Sequence, residues 1–361
     1  MKKRGLKFAV SMALVAGMAA SVLTGCGGGS GSSNAGGATS AGGSTSAAAA
    51  DEGWKWERKV TLVCPWGVGG GADSTLRPLQ PELEKILGVP VEIVNVEGAG
   101  GANGIDFTNK QPADGYTYVL GTQSHIMLDL QKILPVDFKE EFRPVSKLVH
   151  SINIIASSKK AMEGKYTNFT EFVEYAKSHP QELTCGMLTA TGADSVSLKQ
   201  TLAGGLGCDI TEVENYVKIV NYSSGAELSS AMVGGHININ ITGADEIKGL
   251  IESGDIVPLI SMSESRMSSF PDIESTGEHK IDSYVGTWRG IFARTDTPDA
   301  AVEAMANAIK EAWDSASYQE FMKNAGYLDR PGYATADELQ TLVDGEYTTF
   351  EEYLKSAGLI Q

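Results

Sequence analysis

The sequence predicts an α/β fold with parallel strands and a ligand crevice at their carboxyl ends. An apolar, β-branched run at residues 60–63 leads into Pro65-Trp66-Gly67-Val68-Gly69-Gly70-Gly71-Ala72-Asp73, and then into a helical pattern of Leu76, Leu79, Leu83, Ile86 and Leu87. About thirty residues later the device recurs: a strand at 91–96, then Glu97-Gly98-Ala99-Gly100-Gly101-Ala102-Asn103-Gly104, then a helix through Lys110. A strand–helix alternation of the same kind resumes after Pro180. A glycine turn between strand and helix leaves backbone amides exposed at a helix start, where the dipole favours an anion. Glycine also lets the main chain approach a ligand that side chains would hold off. Tandem units of this type place the ligand where the strands end.

Residues 1–25 read as a lipoprotein signal peptide rather than as fold. Lys2, Lys3, Arg4 and Lys7 form a charged start, residues 8–22 an apolar stretch short for a membrane span, and Leu23-Thr24-Gly25-Cys26 a lipobox. Cys26 is the expected lipidation site and mature N-terminus, which places the protein outside the cytoplasm, lipid-anchored to the cell membrane. Residues 26–53 are almost wholly Gly, Ser, Ala, Thr and Asn after the cysteine, and read as a flexible tether.

The remaining 300 or so residues suit one large domain or two ordinary ones. With 29 basic against 45 acidic residues the chain carries −16; losing the four basic residues of the leader leaves −20. This balance opposes nucleic-acid binding and requires any anion site to be local, built from amides and dipoles. Beyond Cys26 the cysteines are Cys64, Cys185 and Cys208, an odd number. Cys185 and Cys208 are a candidate disulfide, with buried free thiols the alternative. The five histidines are scattered, with no paired spacing, so neither metal nor cofactor is expected.

In chain order, Asp114-Gly115 makes a turn before a strand at 116–120. That strand ends in the polar run Gly121-Thr122-Gln123-Ser124-His125, with His125 read as a surface or capping residue. Strands follow at 145–148 and 152–156, the second a candidate crossing into another domain. Phe169, Phe172, Val173 and Ala176 mark one face of a helix that starts at Asn168 or Thr170 and stops near Pro180. Strands at 183–185, 216–220 and 237–241 each end in glycines and hydroxyls, at 186–195, 221–225 and 242–245. A further strand is expected at 256–260 and a returning one at 284–292, interrupted by Thr287-Trp288-Arg289-Gly290, followed by helices marked by Ala301, Met305 and Ile309, by Phe321, and by Leu339, Val343, Tyr347 and Leu354. Candidate ligand contacts at these strand ends are Gln123 and Ser124; Thr189, Thr191, Gly192 and Ser195; Tyr222; Gly243 and Ala244; and Trp288 on the return.

Residues 65–77 resemble the "P-F-x-x-G-G-x-x-D-x-x-x-R" segment of the tripartite tricarboxylate transporter substrate-binding proteins, the Bug family. Residues 98–104 and 114–117 resemble its "G-A-G-G-x-x-G" and "D-G-Y-T" segments; Tyr222, Gly225, Gly234-Gly235, Phe270-Pro271-Asp272 and Trp288-Arg289-Gly290 follow in the expected order. Trp66 replaces the usual Phe, Val196 stands at the position of a His, and Asp194 puts a negative charge near where the resemblance would seat a carboxylate. The resemblance implies a type II periplasmic-binding-protein-like, two-lobed Venus flytrap, each lobe a β-sheet flanked by helices. Lobe 1 is then expected at 54–155 plus 285–361 and lobe 2 at 156–284. It implies a receptor that is not an enzyme, acts as a monomer, and delivers a small organic carboxylate to a two-subunit integral membrane permease. On the first loop it transfers ligand contact to Trp66, Val68, Gly69, Gly70 and Asp73. Asp73 also has a structural reading, as a helix-start acid paired with Arg77 at i,i+4. The rival classes lack their residues. No Gly-Lys-Ser/Thr follows the first glycine loop, the second lacks the third Rossmann glycine in place, and no Gly-x-Ser-x-Gly elbow occurs. A receptor for an ATP-driven importer shares the fold and is the nearer alternative.

Overall fold

In the computed structural model, residues 53–187, 192–222, 225–283, 286–330, 332–356 and 358–361 are described. The expected leader, Cys26 and the expected tether up to residue 52 lie outside them, as do Thr189 and Thr191.

Two five-stranded mixed sheets organise the chain. The first contains β1 (Val60–Cys64), β2 (Val91–Asn95), β3 (Thr117–Gly121), β4 (Phe142–His150) and β10 (Trp288–Arg294), in the order β2-β1-β3-β10-β4. The second contains β5 (Asn153–Ser158), β6 (Leu183–Met187), β7 (Val217–Asn221), β8 (Ile239–Gly243) and β9 (Ile256–Ser261), in the order β7-β6-β8-β5-β9. β1 runs parallel to β2 and β3, and β6 parallel to β7 and β8, while β10 and β5 are antiparallel to both of their neighbours. In each sheet the chain goes to one side of a strand and then returns to the other, at β1 and at β6. That reversal opens a crevice at the strand's carboxyl end.

The helices between them are α1 (Gly71–Leu87), α2 (Ala102–Asn109), α3 (Gln123–Leu130), α4 (Phe138–Glu141), α5 (Lys159–Met162), α6 (Phe169–Ser178), α7 (Ala193–Leu206), α8 (Gly225–Val233), α9 (Ala244–Glu252), α10 (Asp299–Asp314), α11 (Ala316–Ala325) and α12 (Ala336–Ser356). The apolar stripes read from the sequence are the faces that pack. Leu76, Leu79 and Leu83 of α1 meet Met305 and Ile309 of α10 over one face of the first sheet, and Leu339 and Val343 of α12 cover the other. Phe169 and Phe172 of α6 with Leu198 and Leu202 of α7 cover one face of the second sheet, and Leu228 and Met232 of α8 with Ile247 of α9 the other. Each fully buried Leu or Phe contributes about 1.5–3 kcal/mol of transfer free energy. Gly88, in the left-handed conformation (φ 70°), ends α1, and the Asn168 side chain caps α6.

β5 pairs wholly within the second sheet, so the apolar run at 152–156 is not shared between sheets and the expected boundary at 155/156 would cut a strand. The chain leaves the first sheet at His150 and enters the second at Asn153. The return passes directly beside this crossing: the Ser151 N–H donates to the Thr287 carbonyl at 2.9 Å, and its hydroxyl to the same oxygen at 3.2 Å. A Cβ at Gly286 would lie 1.9 Å from the Ser151 carbonyl oxygen, so only glycine fits there. Residues 286–287 belong to this crossing, and β10 then runs from Trp288 to Arg294 through the interruption expected at 287–290, while 284 and 285 lie outside the described residues. Cys64, Cys185 and Cys208 are free thiols, so Cys185 and Cys208 form no disulfide.

Candidate functional site

The starts of α1, α7, α8 and α9 converge on one cleft between the two sheets. Its first-sheet wall includes Trp66, Gly70, Gly71, Ala72, Gly100, Thr122 and Ser124. Its second-sheet wall includes Gly192, Asp194, Gly225, Leu228, Ile241, Thr242, Gly243 and Glu246, and Thr287 and Arg289 close it from the return strand. The cavity is about 60 Å³ and opens to solvent.

The helix caps explain the glycines. Gly70, Gly192 and Gly243 are the N-caps of α1, α7 and α9, with φ of −75°, −76° and −64°, values any residue adopts. Backbone freedom is therefore not what glycine supplies here. At Gly70 it supplies an open approach, and at each cap it offers no side-chain oxygen to the first-turn amides, which in most helices Ser, Thr, Asp or Asn would bind. Among the described residues, a Cβ at Gly70 would meet the Gly67 carbonyl at 3.4 Å and the Gly225 nitrogen at 3.8 Å. Gly71 and Gly225 are tighter: the Glu246 carboxylate lies where either would place a Cβ, 2.2 Å from the one and 2.3 Å from the other.

Asp73 holds the first loop from behind. Its carboxylate accepts from the Gly69 N–H at 3.0 Å, from Arg77 Nε and Nη2 at 3.0 and 2.8 Å, and from Asn95 Nδ2 at 3.0 Å. Burial works against the charge, but the bonds from Arg77, Gly69 and Asn95 hold the carboxyl below the ordinary aspartate range. It pins Gly69 at φ +81°, a left-handed turn that suits glycine. Trp66 packs against His125 with ring centroids 5.1 Å apart and the planes tilted by 38°. His125 is fully buried, not a surface residue: its Nδ1 accepts from the Thr122 N–H at 3.2 Å in a capping box that opens α3, and burial pushes its pKa down to about 3, so it is neutral.

A buried charge cluster fills the far side of the cleft. Arg289 of β10 donates through Nη1 to Asp245 at 3.1 Å and to the Tyr327 hydroxyl at 2.5 Å, and through Nη2 to Glu246 at 2.7 Å. The Tyr327 hydroxyl donates in turn to Asp245. These bonds join β10 of the first sheet to the start of α9 in the second. Burial, then repulsion from Asp245 and Asp194, raises the Glu246 pKa to about 7 against the pull of Arg289. Asp194, half-buried, receives Asn153 Nδ2 at 3.2 Å and Thr287 Oγ1 at 3.4 Å, and desolvation raises its pKa.

Of the residues selected from the sequence, Trp66, Gly70, Ser124, Gly192 and Gly243 line the cleft. Gly69 and Asp73 support it from behind. Gln123 is buried next to it, donating to the Gly286 carbonyl at 3.0 Å. Ser195 is buried on α7, Tyr222 packs beside Leu228, and the Ala244 side chain joins the core while its N–H donates to the Ile152 carbonyl at 3.0 Å. Two expected contacts are corrected. Val68 stands 68% exposed, its side chain in solvent rather than in the cleft. Trp288 is wholly buried in the first sheet's core, its indole N–H donating to Glu346 at 2.8 Å. Successive side chains on a strand point to opposite faces, so its neighbour Arg289 is the residue that reaches the cleft. Val196, at the position of the family's His, packs with Met127 of α3 and Leu354 of α12 in an apolar cluster across the cleft. Glu246 was missed; two acids in the first turn of a helix read as ordinary dipole partners.

A tripartite tricarboxylate transporter family receptor model matches residues 75–359. The chain belongs to that family. Among related proteins, BugT of Bordetella pertussis is 25% identical over 305 residues, spanning 83% of this chain and 90% of that protein. Among solved structures, the periplasmic binding protein BugD superposes with a TM-score of 0.75 at 23% identity, covering 84% of this chain and 99% of that one. MatC from Rhodopseudomonas palustris with bound malate superposes at 0.73 and 24% identity, covering 82% and 98%. The receptor is thus a two-lobed binding protein of the periplasmic type. This explains why the glycine-capped helices face one another across a cleft, and family membership does not favour the ATP-importer alternative.

Proposed function

We propose that the receptor captures a small organic carboxylate in this cleft and delivers it to a two-subunit integral membrane permease. In this reading the lobes are residues 54–152 with 286–361 and residues 153–283, which close on the ligand about the paired crossings at Ser151 and Thr287. The protein is extracytoplasmic, acts as a monomer without cofactor or catalysis, and is held on the membrane by a lipid on Cys26 and a tether over 26–53. The observation that carries the reading is the set of glycine-capped helix starts on both walls, since backbone amides there bind a carboxylate without a basic side chain. Arg289 is already paired with Asp245 and Glu246 and is not the primary anion ligand. Hydrogen bonds to an ionised group are worth about 1.5–3 kcal/mol each, so two or three hold one carboxylate. The relative with bound malate is consistent with this class of ligand.

Trp66 at the cleft wall provides the readout. Titration with di- and tricarboxylates, acidic amino acids and aromatic acids should change tryptophan fluorescence and raise the melting temperature for at least one of them. A saturating acid at a hundred times its Kd adds about 2.7 kcal/mol of stability. No response to any carboxylate would reject the reading. For the anchor, Cys26→Ser should release the protein from the membrane or block its processing; normal processing with full membrane retention would rule the lipid out.

A further inference from the structure

Resting on the carboxylate reading, we infer that the ligand is a monocarboxylate with an uncharged body, its carboxylate seated at the start of α1. Three glycine-capped helix starts open on the cavity, but their own acids are placed differently. At α7 Asp194 lines the cavity, and at α9 Glu246 does. At α1 Asp73 is turned beneath its own loop, bonded to Gly69, Arg77 and Asn95, and stands outside the wall. A ligand carboxylate at α7 or α9 would lie beside a like charge, which works against the helix-start amides. The cation is placed to the same effect. Arg289 is the one cationic side chain among the described wall residues. Its Nη2 lies 2.1 Å from where a Cβ at Gly71 would sit, next to the Glu246 carboxylate at 2.2 Å. At Gly225, the first residue of α8, the Glu246 carboxylate lies 2.3 Å from the Cβ position without that cation beside it. Glu246 therefore meets α1 together with its counterion and α8 without it.

Room for one charge follows. Arg289 is committed through Nη1 to Asp245 and Tyr327 and through Nη2 to Glu246, and its side chain is only 3% exposed. A second ligand carboxylate would find no unpaired cation among the described wall residues, and an anion brought into a site without one is costly. The wall instead offers apolar surface, Leu228 and Ile241 on the second-sheet side and Trp66 and Ala72 on the first. An acid with an aliphatic or aromatic body matches both features, with its charge at Gly70 and its body against these side chains. A dicarboxylate matches α1 with one end and brings the other toward Asp194 or Glu246. Those two acids are thus the residues that set the selectivity.

The test is a calorimetric titration of the purified protein with matched acids in which a terminal methyl is exchanged for a second carboxylate. These are butyrate and succinate, valerate and glutarate, hexanoate and adipate, and 4-methylbenzoate and terephthalate, with citrate and the twenty amino acids completing the panel. At least one monocarboxylate should bind, and its dicarboxylate partner should bind about 100-fold more weakly or not at all, the effect of a like charge brought into the cleft. Glu246→Gln and Asp194→Asn remove the opposing charges, so the ratio should narrow by about 10-fold in at least one of them. Equal binding of the paired acids by the native protein, tighter binding of the dicarboxylates, or a ratio unchanged in both folded variants overturns the inference. The paired comparison on the native chain stands even if a variant does not fold. If only acids with a second charge bind, dicarboxylates or amino acids, the inference fails while the carboxylate reading holds. If no acid binds, the carboxylate reading fails and the inference with it.

Discussion

The starts of α1 and α7 are near copies with opposite outcomes. Both are capped by glycine in almost the same backbone conformation, φ −75° and ψ 169° at Gly70, φ −76° and ψ 171° at Gly192. Each carries an aspartate in its first turn, but Asp73 follows its cap by three residues and Asp194 by two. One residue is about 100° around a helix. That rotation takes Asp73 beneath its own loop, where Gly69, Arg77 and Asn95 hold it as an anion, and takes Asp194 to the cavity, where burial raises its pKa. The first acid shapes the site and the second is part of it.

The largest effect is expected where the second wall's acids meet their cation. Arg289→Ala leaves Asp245 and Glu246 buried without a counterion and should cost about 3–5 kcal/mol in urea unfolding, the range for breaking a buried ion pair. A loss under 1 kcal/mol would mean that the cluster opens to water easily and that its charges do not shape the cleft. Next, Asp73→Ala should cost about 2–3 kcal/mol, because a buried acceptor serving Gly69, Asn95 and Arg77 is removed. Asp194→Asn should by contrast lie within about 1 kcal/mol of the native chain or stabilise it, since it removes a poorly compensated charge. Equal losses in these two variants would erase the distinction between the helices.

The pH dependence sharpens the same contrast. Burial raises Glu346, within the first lobe, to about 8 against the opposing effects of Trp288 and Lys147; Glu246 stands at about 7. Both hold their protons in the folded chain at pH values where the unfolded chain has released them. Stability should therefore fall as pH rises from about 4.5 to 8, by at most about 1.4 kcal/mol per pH unit for each group titrating. Asp73 and Asp329 have the opposite sign: their depressed pKa values stabilise the fold above the ordinary aspartate pKa, and that contribution is lost on acidification below it. Glu346→Gln should flatten the decline between about pH 7 and 8, and Glu246→Gln the part below 7, as measured by melting temperature across pH. A profile in Glu346→Gln identical to that of the native chain would contradict the assignment.

Much of this fold was legible because its signals are local. Glycine turns between strand and helix, the 3.6-residue stripes of α1 and α6, and the renewed alternation after residue 180 each report a neighbour a few residues away. The glycine caps of the site were legible for the same reason. What escaped depends on parity and on long-range contacts. Trp288 and Arg289 are adjacent, and only pairing of β10 with β3 and β4 decides which one faces the cleft. Val68 sits in the right loop, but its side chain faces solvent. Glu246 becomes a cleft residue only because Arg289, more than forty residues on in the chain, is brought to it by the other sheet.

The central claim is that backbone amides at glycine-capped helix starts, and not a basic side chain, hold the ligand's carboxylate. Calorimetric titration of Gly70→Val with the tightest-binding acid tests it most directly. Gly70 has a φ that valine adopts, and its Cβ position is open, so the variant should stay folded at a cost of about 1 kcal/mol at the cap. Its methyl groups would project toward the cleft and should weaken binding by about 100-fold or more, the loss of one or two hydrogen bonds to an ionised group. A folded Gly70→Val protein with native affinity would contradict the account.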